Sequence, residues 1–194
     1  MRAALIAALL AAPAAAQEGD AVSRLAAAYA GLTTCTMPAM DDRHETHAVS
    51  VDVPWSDEPM AVTVGLFVCA VGAYNVTQVV LIDDGWEAAP APLPQLAVTG
   101  AYADEAQEEL RDLIVLGLGA SLYATNASFD PATGRLTSNA LYRGLGDASG
   151  FSAWRLDGLR FVLERQEEDL SWDGAENPWV VVDGGAPVTP RPVE

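Results

Sequence analysis

The sequence contains few positive charges and no lysine. Its ten basic residues are all arginine, against 27 acidic residues, and the formal net charge at pH 7 is −17. A surface of this sign repels the phosphates of nucleic acids and the headgroups of anionic lipids. We therefore expect no nucleic-acid partner, and the charge favours a cationic protein partner. An acidic surface that only keeps an exported protein soluble is the alternative.

The sequence also lacks an apolar run long enough to cross a membrane. A spanning helix needs about 20 predominantly apolar residues, whereas the apolar run near the N-terminus stops at Pro13. Residues 1–16 have the pattern of a signal peptide, with a positive start and small residues at Ala14 and Ala16. We expect cleavage before Gln17 and a mature protein in the periplasm or secreted. An alanine-rich cytosolic helix is the alternative.

Cysteine is nearly absent, since Cys35 and Cys69 are the only two. In an oxidising compartment, a low and even count indicates one disulfide more often than two free thiols. The C-x-x-C spacing of a redox pair is missing. A metal site made from the two cysteines and the two histidines would need long-range folding to gather them. We expect a structural Cys35–Cys69 disulfide.

The remaining chain has the composition of a globular protein. Half of the residues of the full sequence are apolar (51%), so the chain can bury a sizeable core. We expect a single β-rich domain over residues 17–183, followed by a flexible proline-rich tail over residues 184–194.

Helical periodicity is confined to the N-terminal part of the mature chain. Residues 17–32 are rich in alanine, and Val22, Leu25, Ala26 and Tyr29 recur at helical spacing. Residues 103–116 are ambiguous, because an acidic half with helix-forming residues precedes an apolar run. We predict a short helix followed by a strand in that segment.

The other segments alternate as β-strands do. Strand patterns cover residues 47–53, 60–69 and 74–82, and the second places Val62, Val64, Leu66 and Val68 on one face. Residues 87–95 contain three prolines and are predicted to be a surface connection. Residues 121–130 and 135–143 flank a predicted hairpin turn from Pro131 to Gly134. The fold class is therefore mainly β, an antiparallel sheet of hairpins, sandwich-like or barrel-like, with one or two short helices.

A second hairpin is predicted around Asp157-Gly158, which separates the strands at residues 151–156 and 159–165. Asp and Gly tolerate the positive φ angles of a two-residue turn. This register pairs residues across the two strands: Leu156 with Leu159, Trp154 with Phe161, and Arg155 with Arg160. Two arginines directly opposite each other repel, so the register requires a negative group near them.

The negative group could come from the chain itself or from a ligand. Glu164 shares the predicted face of Arg160, and Asp147 lies in a nearby glycine-rich loop close to Arg143. We take Arg143, Asp147, Arg155 and Arg160 as the candidate binding loop. The alternative is that ion pairs only hold this loop on the sheet.

Several catalytic patterns are missing from the sequence. Neither glycine-rich stretch has the G-x-G-x-x-G spacing of dinucleotide sites, and the G-x-S-x-G elbow is absent. His44 and His47 are three residues apart, not four as in zinc proteases. They could form a weak metal site with Asp41 or Asp42, although a solvated polar turn is the better interpretation. We expect no catalytic, cofactor-binding or metal-binding residues.

Three ordered motifs carry a resemblance to a family: "FVCAVGAYN" (67–75), "ASFDPATGRLTSNALYRGLGDASG" (127–150) and "AWRLDGLRFVLE" (153–164). Together they resemble domain-of-unknown-function family 1176, exported proteobacterial proteins, over roughly residues 60–180. The resemblance implies an exported β-rich protein and implies no reaction.

The sequence departs from the family pattern at one pair of positions. Ala148 stands where the family loop has a cysteine, and residues 169–174 lack the second cysteine that would be expected there. Cys69 matches the family cysteine that precedes Gly-Ala-Tyr-Asn, and Cys35 is its only intrachain partner. The loop must therefore fold without the second bridge.

These observations predict an exported periplasmic protein that acts as a non-catalytic envelope or binding module. The alternatives are an inhibitor of a cationic cell-wall hydrolase and a carboxylate-dependent hydrolase. A buried pair of acids in a cleft would favour the hydrolase. A protruding acidic loop would favour the inhibitor.

Overall fold

A computed structural model describes residues 14–37 and 43–192. The predicted signal peptide, residues 1–16, lies almost entirely outside these residues, as do Asp41 and Asp42. The described elements are α1 (Ala14–Ala30), β1 (Glu45–Val51), β2 (Met60–Val71), β3 (Val76–Asp83), β4 (Ala88–Pro90), β5 (Leu93–Tyr102), β6 (Leu110–Ser121), β7 (Tyr123–Thr125), β8 (Ser128–Asp130), β9 (Arg135–Leu141), β10 (Ser149–Asp157), β11 (Arg160–Asp169), β12 (Trp179–Asp183) and β13 (Ala186–Pro192). The paired strands are antiparallel, which confirms the predicted mainly β fold.

The strands form three sheets in the described part of the chain. The first has the order β1-β2-β3-β4, and β7 also pairs with β3. The second has the order β13-β12-β11-β10-β9-β8, and β5 pairs with β6 in a separate two-stranded sheet. Most paired strands are neighbours in the chain, so the fold is built from hairpins.

The main core joins the first and second sheets. Val64 and Leu66 of β2 belong to one buried cluster with Val80 of β3 and with Trp154 and Phe161 of the second sheet. The alternation predicted for β2 is the cause, because it directs every second side chain to one face. Two sheets with a shared core form a sandwich.

Helix α1 covers the other face of the first sheet. Leu25 and Tyr29 pack with Phe67 and Val79 in a second buried cluster. The burial predicted for the apolar helix face is therefore confirmed for Leu25 and Tyr29. It is wrong for Val22, which is 39% exposed. Because β2 and β3 are covered on both faces, β3 has an uninterrupted apolar run over residues 79–82.

Two connections fasten α1 and the segment after it to this sheet. Cys35 and Cys69 form a disulfide with a Cα–Cα distance of 4.5 Å, which confirms the predicted bond. Arg24 donates from Nε and Nη2 to the buried carboxylate of Asp83, at 2.5 and 2.8 Å. No described helix is long and apolar enough to cross a membrane.

Side chains of the second sheet hold the β5–β6 hairpin. The side chain of Gln166 accepts the N–H of Leu96 at 2.8 Å and donates to its carbonyl at 2.9 Å. The indole of Trp154 donates to the carbonyl of Pro94 at 2.7 Å. Leu93 and Leu96 enter the main core, so β5 belongs to the sandwich even though no strand of another sheet pairs with it among the described residues.

Residues 103–116 contain the predicted strand but not the predicted helix. The carboxylate of Asp104 accepts the N–H groups of Glu108 and Glu109, at 3.1 and 2.7 Å, and Gln107 has a φ of 62°. A left-handed residue interrupts an α-helix, and side-chain bonds to the backbone compete with it. The acidic half is therefore the turn between β5 and β6.

Two proline-rich segments are more regular than predicted. Residues 87–95 contain the edge strand β4 and the start of β5, where Leu93 is fully buried. The tail predicted to be flexible, residues 184–194, contains β13, which pairs with β12 at the edge of the second sheet. Proline is tolerated on edge strands because the missing N–H would face away from the partner strand.

The β10–β11 hairpin forms in a different register from the predicted one. The cross-strand pairs are Asp157 with Arg160, Leu156 with Phe161, Arg155 with Val162, and Trp154 with Leu163. The turn residues are therefore Gly158 and Leu159. Gly158 has a φ of 60°, whereas Leu159 is not among the residues with positive φ, as in a type II′ turn. The predicted turn required positive φ at both Asp157 and Gly158.

Candidate functional site

The glycine-rich loop between β9 and β10 is fastened by an internal ion pair. Arg143 Nε donates to Asp147 at 2.5 Å, and the carboxylate of Asp147, which is buried, also accepts the N–H of Gly174 at 2.9 Å. Arg143 donates to the carbonyl of Trp172 at 3.2 Å, and its guanidinium lies 5.2 Å from the centre of the Trp172 ring. Ala148 is fully buried. The loop is thus held against residues 172–174 without a second disulfide.

The other two candidate residues lie at the opposite end of β10. Arg155 is not opposite Arg160; it is opposite Arg135 on β9. The carboxylate of Glu164 lies between that pair, 3.0 Å from Arg155 and 3.8 Å from Arg135. Arg160 lies 3.6 Å from the carboxylate of Asp157. The structure therefore splits the candidate binding loop into two separate pairs of residues, one at each end of β10.

The histidines lie in different surroundings. The Nδ1 of His44 accepts the N–H of Val68 at 2.9 Å, and its ring lies 4.5 Å from the ring of Phe67. His47 lies instead beside Phe129, at 5.5 Å, with its Nε2 3.4 Å from the carboxylate of Glu45. Among the described residues, no three metal-binding side chains converge on one point.

A buried carboxyl connects β11 to the glycine-rich loop. Glu168 accepts the hydroxyl of Tyr142 at 2.5 Å and the amide of Gln166 at 2.9 Å. Gly150 makes this contact feasible, because a Cβ there would lie 2.4 Å from the Tyr142 hydroxyl. Burial raises the pKa of Glu168, and burial together with the Glu168 charge raises the pKa of Tyr142.

The neighbouring acid, Asp169, is also buried but has different partners. Its carboxylate accepts the hydroxyl of Ser171 at 2.7 Å and the N–H of Asn177 at 2.7 Å. Successive side chains of a strand point to opposite faces, so Asp169 and Glu168 do not share one site. Glu168 and Asp169 are therefore each bonded to groups of their own chain, and the two carboxyls do not converge on one site.

An acidic cleft lies where the β5–β6 turn meets the segment after β11. Its volume is about 430 Å³, and it is lined by Asp104, Glu108, Glu109, Leu110, Ser171, Asp173, Asn177 and Trp179. Backbone N–H groups hold the pKa of Asp104 below its usual value. The N–H of Ala175 and the amide of Asn177 do the same for Asp173. Four acids line the cleft, and no basic residue of the described part of the chain lines it.

Sequence analysis missed this cleft because its two halves are far apart in the chain. The first half is the turn that was predicted to be a helix, and the second half follows β11. The N–H of Trp172 donates to the carbonyl of Gln107 at 3.0 Å and brings the halves together. The only available signal was two acidic stretches, which is too common a pattern to predict a site.

A groove with an exposed tryptophan lies at the β10–β11 turn. Its volume is about 520 Å³, and it is lined by Asp52, Pro54, Trp55, Asp157, Gly158, Leu159 and Arg160. Trp55 is 67% exposed. This groove contains one of the four candidate residues, Arg160.

Comparison with known proteins identifies the family. No curated protein and no solved structure matches the chain significantly. Residues 59–182 match a family described as "Protein of unknown function (DUF1176)", from the start of β2 almost to the end of β12. The match includes Cys69, the glycine-rich loop and the β10–β11 hairpin, and the chain therefore belongs to the DUF1176 family.

Proposed function

We propose that the protein is an exported, non-catalytic binding protein of the cell envelope that recognises a cationic protein through the acidic cleft. The observation that carries this proposal is the cleft itself, with four carboxylates from two separate segments and no lining cation. An electrostatic surface of one sign accelerates the encounter with an oppositely charged partner and excludes partners of the same sign.

The non-catalytic part of the proposal is supported by how the other polar groups are used. Asp147, Glu168 and Asp169 are the buried acids near this end of the second sheet, and each is bonded to its own chain. A general acid or base needs access to a substrate proton. The acids of the cleft are, by contrast, mostly exposed, as an interaction surface requires.

Export is supported by the N-terminal pattern and by the disulfide. A structural disulfide persists in oxidising compartments, such as the periplasm. Cell fractionation with intact-mass measurement tests this part. We expect a periplasmic protein that begins at Gln17, and a cytoplasmic protein with an uncleaved N-terminus would contradict export.

The binding proposal is tested with the mature protein as bait in periplasmic extract and with purified lysozyme as a defined cationic cell-wall hydrolase. Replacing Glu108 and Glu109 by Gln removes two exposed charges from the cleft. The matched control replaces Asp57 by Asn and Glu58 by Gln, which removes two exposed charges elsewhere. We expect salt-sensitive capture of a cationic protein by the wild type and the control, and loss of capture by the cleft variant.

The lysozyme assay separates the inhibitor from a simple binding module. Slower peptidoglycan cleavage that depends on Glu108 and Glu109 would identify an inhibitor. Equal capture by the cleft variant and the wild type would refute the cleft as the binding surface.

A further inference from the structure

Three loops meet at the end of the sandwich that carries the β10–β11 turn. The turn at Gly158 lies against the β1–β2 loop, because a Cβ on Gly158 would be 3.5 Å from the carbonyl oxygen of Asp52. Leu159 lines both the groove of Trp55 and a second groove of about 170 Å³, which lies beside the β3–β4 turn. The two grooves therefore adjoin across Leu159.

The β1–β2 loop and the β3–β4 turn each carry an exposed tryptophan. Trp55 is 67% exposed and Trp86 is 89% exposed. Asp84 accepts the N–H of Trp86 at 2.9 Å, and the hydroxyl of Ser56 accepts the N–H of Glu58 at 3.1 Å. Both rings are thus exposed on loops whose backbone is held by hydrogen bonds within the loop, although an aromatic ring of this size is normally covered.

Polar groups surround the first ring. Asp52, Asp157 and Arg160 line the groove together with Trp55, and Arg160 lies 3.6 Å from Asp157 in an exposed pair. Carboxylates accept hydrogen bonds, and a guanidinium donates several. The groove therefore combines a flat apolar surface with acceptors and a donor at its rim.

This combination discriminates between ligand classes. A sugar ring has C–H groups on its faces and hydroxyl groups on its edge, so it can stack on an indole while its hydroxyls bond to the rim. Anionic ligands are repelled, because the acids of the two grooves outnumber Arg160. The volume of the larger groove lies in the range of sites for small ligands.

We propose that this end of the sandwich binds a neutral oligosaccharide, with one sugar ring on Trp55 and another on Trp86. The site does not depend on the acidic cleft. β11 runs from Arg160 at the proposed site to Asp169, and the cleft residues Ser171 and Asp173 follow that far end.

The test uses the full mature protein with its disulfide intact and two probes, chitotetraose and cellotetraose. Isothermal titration calorimetry measures affinity, and tryptophan emission reports the stacking. We expect saturable binding of at least one probe at millimolar concentration or below, with a blue shift of the emission. Trp55→Ala should weaken binding at least tenfold. Trp86→Ala should weaken it less, because Trp55 lines a groove whereas Trp86 lies beside the second groove without lining it.

Two further variants make the result specific. Trp172→Ala removes an exposed tryptophan at the opposite end of the sandwich and should leave the affinity unchanged. Trp55→Tyr keeps an aromatic face and should retain most of the affinity, and thermal melting of each variant verifies its folding. The proposal is wrong if neither probe binds saturably, or if a folded Trp55→Ala variant binds as tightly as the wild type. It is also wrong if tetramethylammonium binds the site and neither sugar does.

Discussion

At the scale of single residues, Glu168 carries the clearest consequence of burial. Glu168 is only 7% exposed, and its carboxyl is bonded to Tyr142 and Gln166 and to no arginine of the described residues. Removal from water penalises the charged form more than these two hydrogen bonds favour it, so the pKa of Glu168 is raised above its usual 4.5. A carboxyl with a raised pKa favours the folded state most when it is protonated.

The pH dependence follows from this direction. The contribution of Glu168 to stability is complete below the usual glutamate pKa, and it decreases as the pH rises towards the raised pKa of the folded state. Glu168→Gln is neutral at every pH, and its amide can still bond to both neighbours. We expect this variant to raise the free energy of unfolding at neutral pH and to have little effect in acid.

Urea unfolding of the wild type and the variant from acidic to neutral pH measures this difference. Glu108→Gln, which changes an exposed carboxyl, is the control and should leave the difference near zero. A Glu168→Gln variant that is less stable than the wild type at neutral pH would mean that the charged form is favoured by the fold.

At the scale of elements, the β10–β11 turn has a conformational requirement at one position. Gly158 has a φ of 60°, where a residue with a Cβ is strained, whereas Asp157 ends the strand and has no positive φ. We expect Gly158→Ala to lower the free energy of unfolding by about 1 kcal/mol. Asp157→Ala removes only an exposed ion pair and should cost less than about 0.5 kcal/mol. Equal costs at both positions in urea unfolding would support the turn that the sequence predicted.

The disulfide is the second prediction at this scale. It closes 34 residues between the end of the α1 segment and β2, and such a loop restricts the unfolded chain by roughly 4 kcal/mol in the entropic description. We expect reduction, or replacement of both Cys35 and Cys69 by Ala, to lower the urea midpoint strongly. Intact mass before and after reduction verifies the bond. An unchanged midpoint in the reductant would show that α1 packing alone holds this segment.

The elements also show what a sequence can predict. β2 and the turn from Pro131 to Gly134 are confirmed, because alternation and turn residues act locally. The strand predicted over residues 121–130 is instead divided, because β7 pairs with β3 and only β8 pairs with β9. The helix predicted in place of the β5–β6 turn was wrong. The conformation of this turn depends on hydrogen bonds to the side chain of Asp104, which helix propensity does not include. The predicted register of β10–β11 was wrong because the same glycine, Gly158, fits two types of two-residue turn. A turn at Asp157-Gly158 and a turn at Gly158-Leu159 differ in which residues of the two strands face each other.

At the scale of the whole molecule, the candidate sites depend on contacts that no local pattern contains. The acidic cleft joins residues 104–110 to residues 171–179, and the Trp55 groove joins the β1–β2 loop to the β10–β11 turn. Two arginines of the predicted binding loop, Arg143 and Arg155, form ion pairs with acids of their own chain. Sequence reasoning found the charged residues, and the fold decides which of them remain available to a ligand.

The net charge of −17 also acts on the molecule as a whole. Folding brings the acids closer together, so their mutual repulsion destabilises the compact state. Salt weakens the repulsion between groups that are farther apart than the Debye length, which is about 8 Å at physiological ionic strength. Salt also weakens the ion pairs, but most of these are at least partly exposed and contribute little. We therefore expect the melting temperature to rise as sodium chloride is added to a low-salt buffer. Each kcal/mol gained in the free energy of unfolding should raise it by about 2–4 °C. Calorimetry in a sodium chloride series measures the effect, and sucrose at matched osmolality is the control. A melting temperature that falls with salt would mean that the arginine–carboxylate pairs stabilise the fold more than the excess of acids destabilises it.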